Sequence, residues 1–195
     1  MLKKLQNDIF VFSGCKTAVE LREASSLLID DDGKLRKWKS FKDEMVKLNK
    51  LYNVTYLEAE YNFASQSAVM ANRWTEIVKN EDQYNLQYRT AGDDKVRDSH
   101  SQLNGITLPA SNSFWIEYFP PNGWRCRCTA AEVLISKYKV SNQKDAIALG
   151  EAATTALNSD GKNTLAMFRF NPGKDEVVFP QNHPYFKFKG DLKGE

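Results

Sequence analysis

Cys15, Cys126, Cys128, His100 and His183 are the only thiol and imidazole groups in the 195 residues. An odd number of cysteines argues against a disulfide framework. Cysteines at i and i+2 on a strand point to one face, so Cys126 and Cys128 could share a metal ion or meet each other. A bridge between them would be strained and disfavoured in a reducing cytosol. A closed zinc site needs four ligands. The plainer reading is a pair of partly buried thiols, with His100 hydrogen-bonded to a carboxylate or carbonyl. Asp98 beside His100 is the minimum for an acid–base pair such as a nuclease uses. The signatures of zincins, serine hydrolases, phosphate-loop NTPases and dinucleotide-binding enzymes are absent.

The rest of the chain has to position those groups. Twenty-seven Lys+Arg against 25 Asp+Glu give a net charge of +2, which lacks the basic excess of a dedicated nucleic-acid binder. Lys187, Lys189 and Lys193 make only the last stretch locally basic. With 42% hydrophobic and 12% aromatic residues, the chain can bury a core. No apolar run approaches the ~20 residues of a membrane helix. Met1-Leu-Lys-Lys-Leu5 opens like a signal peptide, but Asn7 and Asp8 interrupt it, so a cytosolic protein is expected.

Ile9 to Phe12, closed by Ser13-Gly14, reads as a strand. Thr17 with Glu20 reads as a capping box opening a helix, which ends before the turn Asp30-Asp31-Asp32-Gly33. A second helix begins at Ser40. Thr55 with Glu58 opens a third, reaching about Lys79, with Leu57, Tyr61, Ala64, Ala68, Ala71 and Trp74 on its apolar face. Asn85 to Thr90 alternates like a strand. Asp94 to Leu103 reads as a short helix that Gly105 ends in a left-handed cap, and within it Arg97 and Asp94 are spaced to pair. Arg125 to Thr129 and Val177 to Phe179 read as strands, Ser141 to Thr154 as a helix and Asn158 to Asn163 as a flexible polar link. Phe114, Trp115, Tyr118 and Phe119 suit a small core under a loop better than a stacking platform for single strands, with Trp124 left for a partner surface. The expected fold is α+β: an N-terminal strand and helical region over 1–80, then a mixed core over 81–195 with short strands.

One block carries a resemblance. Arg89, Asp93, Asp94, Arg97, His100, Asn104-Gly105, Phe114-Trp115 and Pro120-Pro121-Asn122-Gly123-Trp124-Arg125-Cys126-Arg127-Cys128 follow in an order that resembles the phage Mu F-like head-morphogenesis family. The flanks, Leu5 to Gly14, Tyr56 to Asn62, Phe168 to Lys174 and His183-Pro184-Tyr185, are similar to a subgroup from Bacteroidetes prophages. The resemblance implies a non-enzymatic minor capsid protein acting in procapsid morphogenesis near the portal, in the bacterial cytoplasm during assembly and later inside the virion. Its implied partners are the portal and major capsid proteins and packaged DNA, with no membrane and with self-association open. Arg89, Asp94, Arg97, Gly105, Pro121, Gly123, Trp124 and Arg127 are the motif positions expected to hold structure. Other branches of the family carry more cysteines here. Aligned on them, His100, Cys126 and Cys128 are retained ligands for a structural zinc, Arg97 replaces one ligand, and His183 is the candidate fourth. Because such domains also occur fused to toxins, a small nuclease or toxin effector is the competing expectation.

Overall fold

The computed structural model describes residues 1–187, so Lys189 and Lys193 lie outside the described residues. The chain opens with helix α1 (Leu2–Ser26), not a strand. Ile9 to Phe12 is rich in β-formers, but the burial pattern decides. Leu5, Asp8, Phe12 and Cys15 are buried at spacings of three and four, while Phe10 stands in solvent. Thr17 lies inside α1, where its hydroxyl donates to Ser13 O at 3.0 Å instead of capping a new helix.

Helix α2 (Trp38–Lys50) runs through a π-helical turn (Leu51–Tyr56) into α3 (Leu57–Ile77), so Thr55 is also helix interior. The turn has a local cause. Lys16 Nζ, reaching over from α1, donates to the carbonyl of Tyr52 at 2.8 Å, competing with the α-helical ladder there. The displaced register buries Tyr52 against α1.

Strand β1 (Tyr84–Arg89) is the centre of a three-stranded antiparallel sheet of order β2-β1-β3. Strand β2 (Thr107–Pro109) pairs Leu108 with Leu86, and β3 (Thr129–Leu134) pairs Thr129 with Arg89. Short helices α4 (Asp98–Ser101) and α5 (Phe114–Glu117) punctuate the loops; α6 (Gln143–Ala153) and α7 (Pro172–Asp175) follow. The architecture is α+β, as expected. Asn142 caps α6, its side chain accepting from the amides of Lys144 and Asp145. Residues 158–163 form a closed turn: Asn158 Oδ1 accepts from the amides of Asp160 and Lys162.

Two aromatic-rich cores share α3. Met70 and Ile77 join Leu86, Tyr88, Phe114, Trp115 and Phe119 around the sheet. Phe63 and Ala71 join Phe12, Tyr52, Phe168, Val178 and Phe179 on the side of α1. The segment Val177 to Phe179 forms no strand. Its amides instead meet the buried carboxylate of Asp8, which accepts from Val178 N at 2.8 Å and Phe179 N at 2.9 Å, while the Phe179 ring stacks on Phe12 at 3.7 Å. Helix α7 presses on α3 so closely that a Cβ on Gly173 would lie 2.2 Å from Cβ of Trp74. Among the described residues no helix is long and apolar enough to cross a membrane.

Candidate metal centre

His100 sits on α4, which is only one turn long, so Asp94 and Arg97 are not on a common helix. The pairing expected between them gives way to another. Arg97 is extended, and its guanidinium donates to the carbonyl of Trp124 and lies 3.3 Å from where a Cβ of Gly123 would be. A side chain at position 123 would therefore push on this contact. Asp94 is exposed, and Arg89 donates to Gln87 Oε1 at 3.1 Å. The bidentate ion pair of the region joins Arg127 to Asp93, at 2.6 and 2.7 Å. These guanidinium contacts bind the 93–100 loop to the 122–128 loop.

Gly105 is left-handed at φ +89, and its amide donates to Tyr88 O at 2.8 Å, turning the chain from α4 back onto the sheet. Pro121 is buried. Past Gly123 the chain turns rather than extending: Arg125 is left-handed at φ +58, and Cys126 N donates to Gly123 O. The strand begins only at Thr129. Cys126 and Cys128 thus lie in a loop, yet both sulfurs still face one way, with His100 Nδ1 3.7 Å from each. Donor atoms of the three residues all lie within 4.8 Å of one another, and all three residues are buried.

The surroundings fix that loop. Gln66 on α3 donates to Cys128 O at 3.0 Å, and Tyr88 on β1 donates to Asn122 Oδ1 at 2.9 Å. A hydrogen bond from Cys128, helped by the His100 imidazole, holds the Cys126 thiol well below its ordinary value; the same hydrogen bond to Cys126, with burial, pushes that of Cys128 up. Burial beside these sulfurs raises the Tyr88 phenol well above its usual range. His100 Nδ1 faces sulfur rather than a carboxylate, and its buried Nε2 has no hydrogen-bond partner among the described residues. That arrangement is unlike a nuclease acid–base pair.

His183 is elsewhere. Its ring packs 4.4 Å from Tyr185, 5.1 Å from Phe12 and 5.7 Å from half-buried Trp124, and Nδ1 accepts from Tyr185 N. The expected fourth ligand is an aromatic-core residue, and Trp124 packs on Phe63 and Phe168 instead of standing free for a partner. Burial lowers the His183 pKa from 6.5 to about 4. The unfolded chain therefore binds the additional proton between pH 6.5 and 4, and stability falls as pH drops through that window. The expected loss is on the order of 2 kcal/mol, allowing for partial solvent access. Urea midpoints at pH 7 and 4.5 should diverge less in His183→Phe than in wild type; identical pH dependence would show that the ring is solvated.

Sequence reasoning missed Gln66, Tyr88 and Asn122, which no spacing rule links to the cysteines. The Asp93–Arg127 pair was recoverable only as two members of one motif block.

A cavity of about 670 Å³ opens beside the three donors, edged by Glu58, Lys95, Arg97, Arg125 and Arg127. Arg127 is neutralised by Asp93, and Arg125 lies 3.5 Å from Glu58. Lys95 and Arg97 leave the rim positive.

Two known proteins are similar to part of this chain. The Putative capsid assembly protein F of Escherichia phage Mu is 30% identical over 80 residues, covering 40% of this chain and 18% of that protein. The Mu-like prophage FluMu F protein of Haemophilus influenzae is 31% identical over 78 residues, again 40% of this chain and 18% of the relative. The matched stretch thus spans less than a fifth of either relative. No solved structure matches. The family described as Phage Mu protein F like protein matches residues 33–131, half of the chain and the whole of the His100, Cys126 and Cys128 cluster, and the chain belongs to that family.

Proposed function

We propose that this chain serves in phage or prophage head morphogenesis, as a non-enzymatic minor component of the assembling procapsid that contacts the portal and the major capsid protein. The observation that carries this reading is the likeness to a protein named for capsid assembly, together with a family match whose span includes the three-donor cluster. The cluster ties α4 to the loop before β3, with its imidazole aimed at sulfur, which suits a role in holding these loops together. In this reading the protein works in the host cytoplasm during assembly and stays inside the capsid, close to packaged DNA.

Co-expression with the portal and major capsid proteins encoded alongside it tests the proposal. Co-purification with either, surviving moderate salt, is the expected result. Absence of both associations would refute it. Growth arrest on expression, relieved by His100→Ala, would replace it with a toxin or nuclease function.

A further inference from the structure

We propose that His100 Nδ1, Cys126 Sγ and Cys128 Sγ bind one Zn²⁺ as its only ligands among the described residues, with the fourth position open to the positively rimmed cavity. The inference is independent of the head-assembly reading, since it concerns only how these loops are held.

Distances come first. A tetrahedral zinc with bonds of about 2.3 Å to sulfur and 2.0–2.1 Å to nitrogen sets the donors about 3.6 Å (N to S) and 3.8 Å (S to S) apart. The imidazole nitrogen lies 3.7 Å from each sulfur. Nδ1 has a single proton or a single lone pair and can address one sulfur at a time. Equal separation from two is what a common central ion produces.

Donor chemistry comes second. Two thiolates and an imidazole suit zinc and disfavour calcium or magnesium, which take oxygen. Two thiolates also neutralise the divalent ion, so a buried site carries no net charge. Each thiol gives its proton to the solvent as the metal enters.

The number of ligands comes third. His183 is held in the aromatic core among Phe12, Trp124 and Tyr185, and Arg97 is committed to the carbonyl of Trp124. Cys15 belongs to the other core, with Phe12 and Tyr52. Three protein donors leave one exchangeable position, as in sites that keep a water. The cavity lined by these same three residues gives that position access to solvent, and Lys95 and Arg97 favour an anionic occupant.

Elemental analysis of the full chain, purified under reducing conditions with zinc supplied, should find about one zinc per chain. Cys126→Ser, Cys128→Ser and His100→Ala should each fall below about a tenth of that, and His183→Phe should keep it. Because the first three variants could misfold, the wild type supplies a second measurement. Metal-stripped protein loaded with Co²⁺ should show thiolate-to-cobalt charge-transfer absorption, and a small added thiol should raise it by about half as two sulfurs become three. No metal uptake by folded wild type would overturn the site. Metal loss in His183→Phe, or a cobalt spectrum indifferent to added thiol, would overturn the open three-ligand geometry.

Discussion

Lys16→Met is expected to destabilise the protein by about 3–5 kcal/mol, because it strands a buried carboxylate. Lys16 Nζ lies 2.6 Å from Glu60 Oε2 and 2.8 Å from the carbonyl of Tyr52, and the Lys16 and Glu60 side chains are only 10% and 9% exposed. The ammonium thus compensates an acid on α3 and a carbonyl freed by the π-helical turn. Removing it leaves both without their ionic partner at a site where the side chains are only about a tenth exposed. The pair itself need not add net stability. Desolvating two ions costs about as much as their attraction returns, so Lys16→Met combined with Glu60→Leu should recover most of the loss. Urea denaturation of the two single variants and the double variant measures the coupling. A single-variant loss under about 1 kcal/mol would mean that water reaches the pair.

Gly173→Ala is the second large effect. One methyl group added at α7 would meet Cβ of Trp74 at 2.2 Å and Cγ at 2.7 Å. The Trp74 Cβ is bonded to the backbone of α3 and cannot swing aside, so α7 must retreat. Overpacking of this kind costs about 3 kcal/mol, or more where backbone has to move. Retreat would also loosen Asn171, whose side chain caps α7 and donates to Trp115 O at 2.9 Å. The denaturation midpoint should fall and Trp fluorescence should shift. An unchanged midpoint would show that α7 rides on α3 without fixed contact.

The outcome at α1 shows what the sequence made legible and what it did not. Asp8 and Lys16 are charged, yet both are buried, because their partners are the amides of Val178 and Phe179 and the carboxylate of Glu60. Those partners are remote in sequence, and no local window contains them. The same blindness turned Ile9 to Phe12 into a strand: β-propensity is local, whereas the stripe of Leu5, Asp8, Phe12 and Cys15 acquires meaning only against its distant neighbours. Long periodic runs were clearer, and α3, α6 and β1 fall where their patterns put them. At the cluster, the pairing of Cys126 with Cys128 and the nearness of His100 followed from motif order, although the strand geometry first invoked for the sulfurs does not hold. His183 was misplaced because scarcity of histidine says nothing about direction.

The buried carboxylate of Asp8 has a further consequence, for synthesis on the ribosome. Its two amide donors are 170 and 171 residues away in sequence. At about 5–20 residues per second, Asp8 is synthesised roughly 10–30 s before Val178 and Phe179 exist. Throughout that interval Phe12 lacks the ring it stacks on, and an acid destined for burial stays hydrated. A nascent-chain pulse with limited proteolysis should find α1 cleavable until the segment around Phe179 emerges. Among the described residues, α1 is thus made well before the segment that locks it.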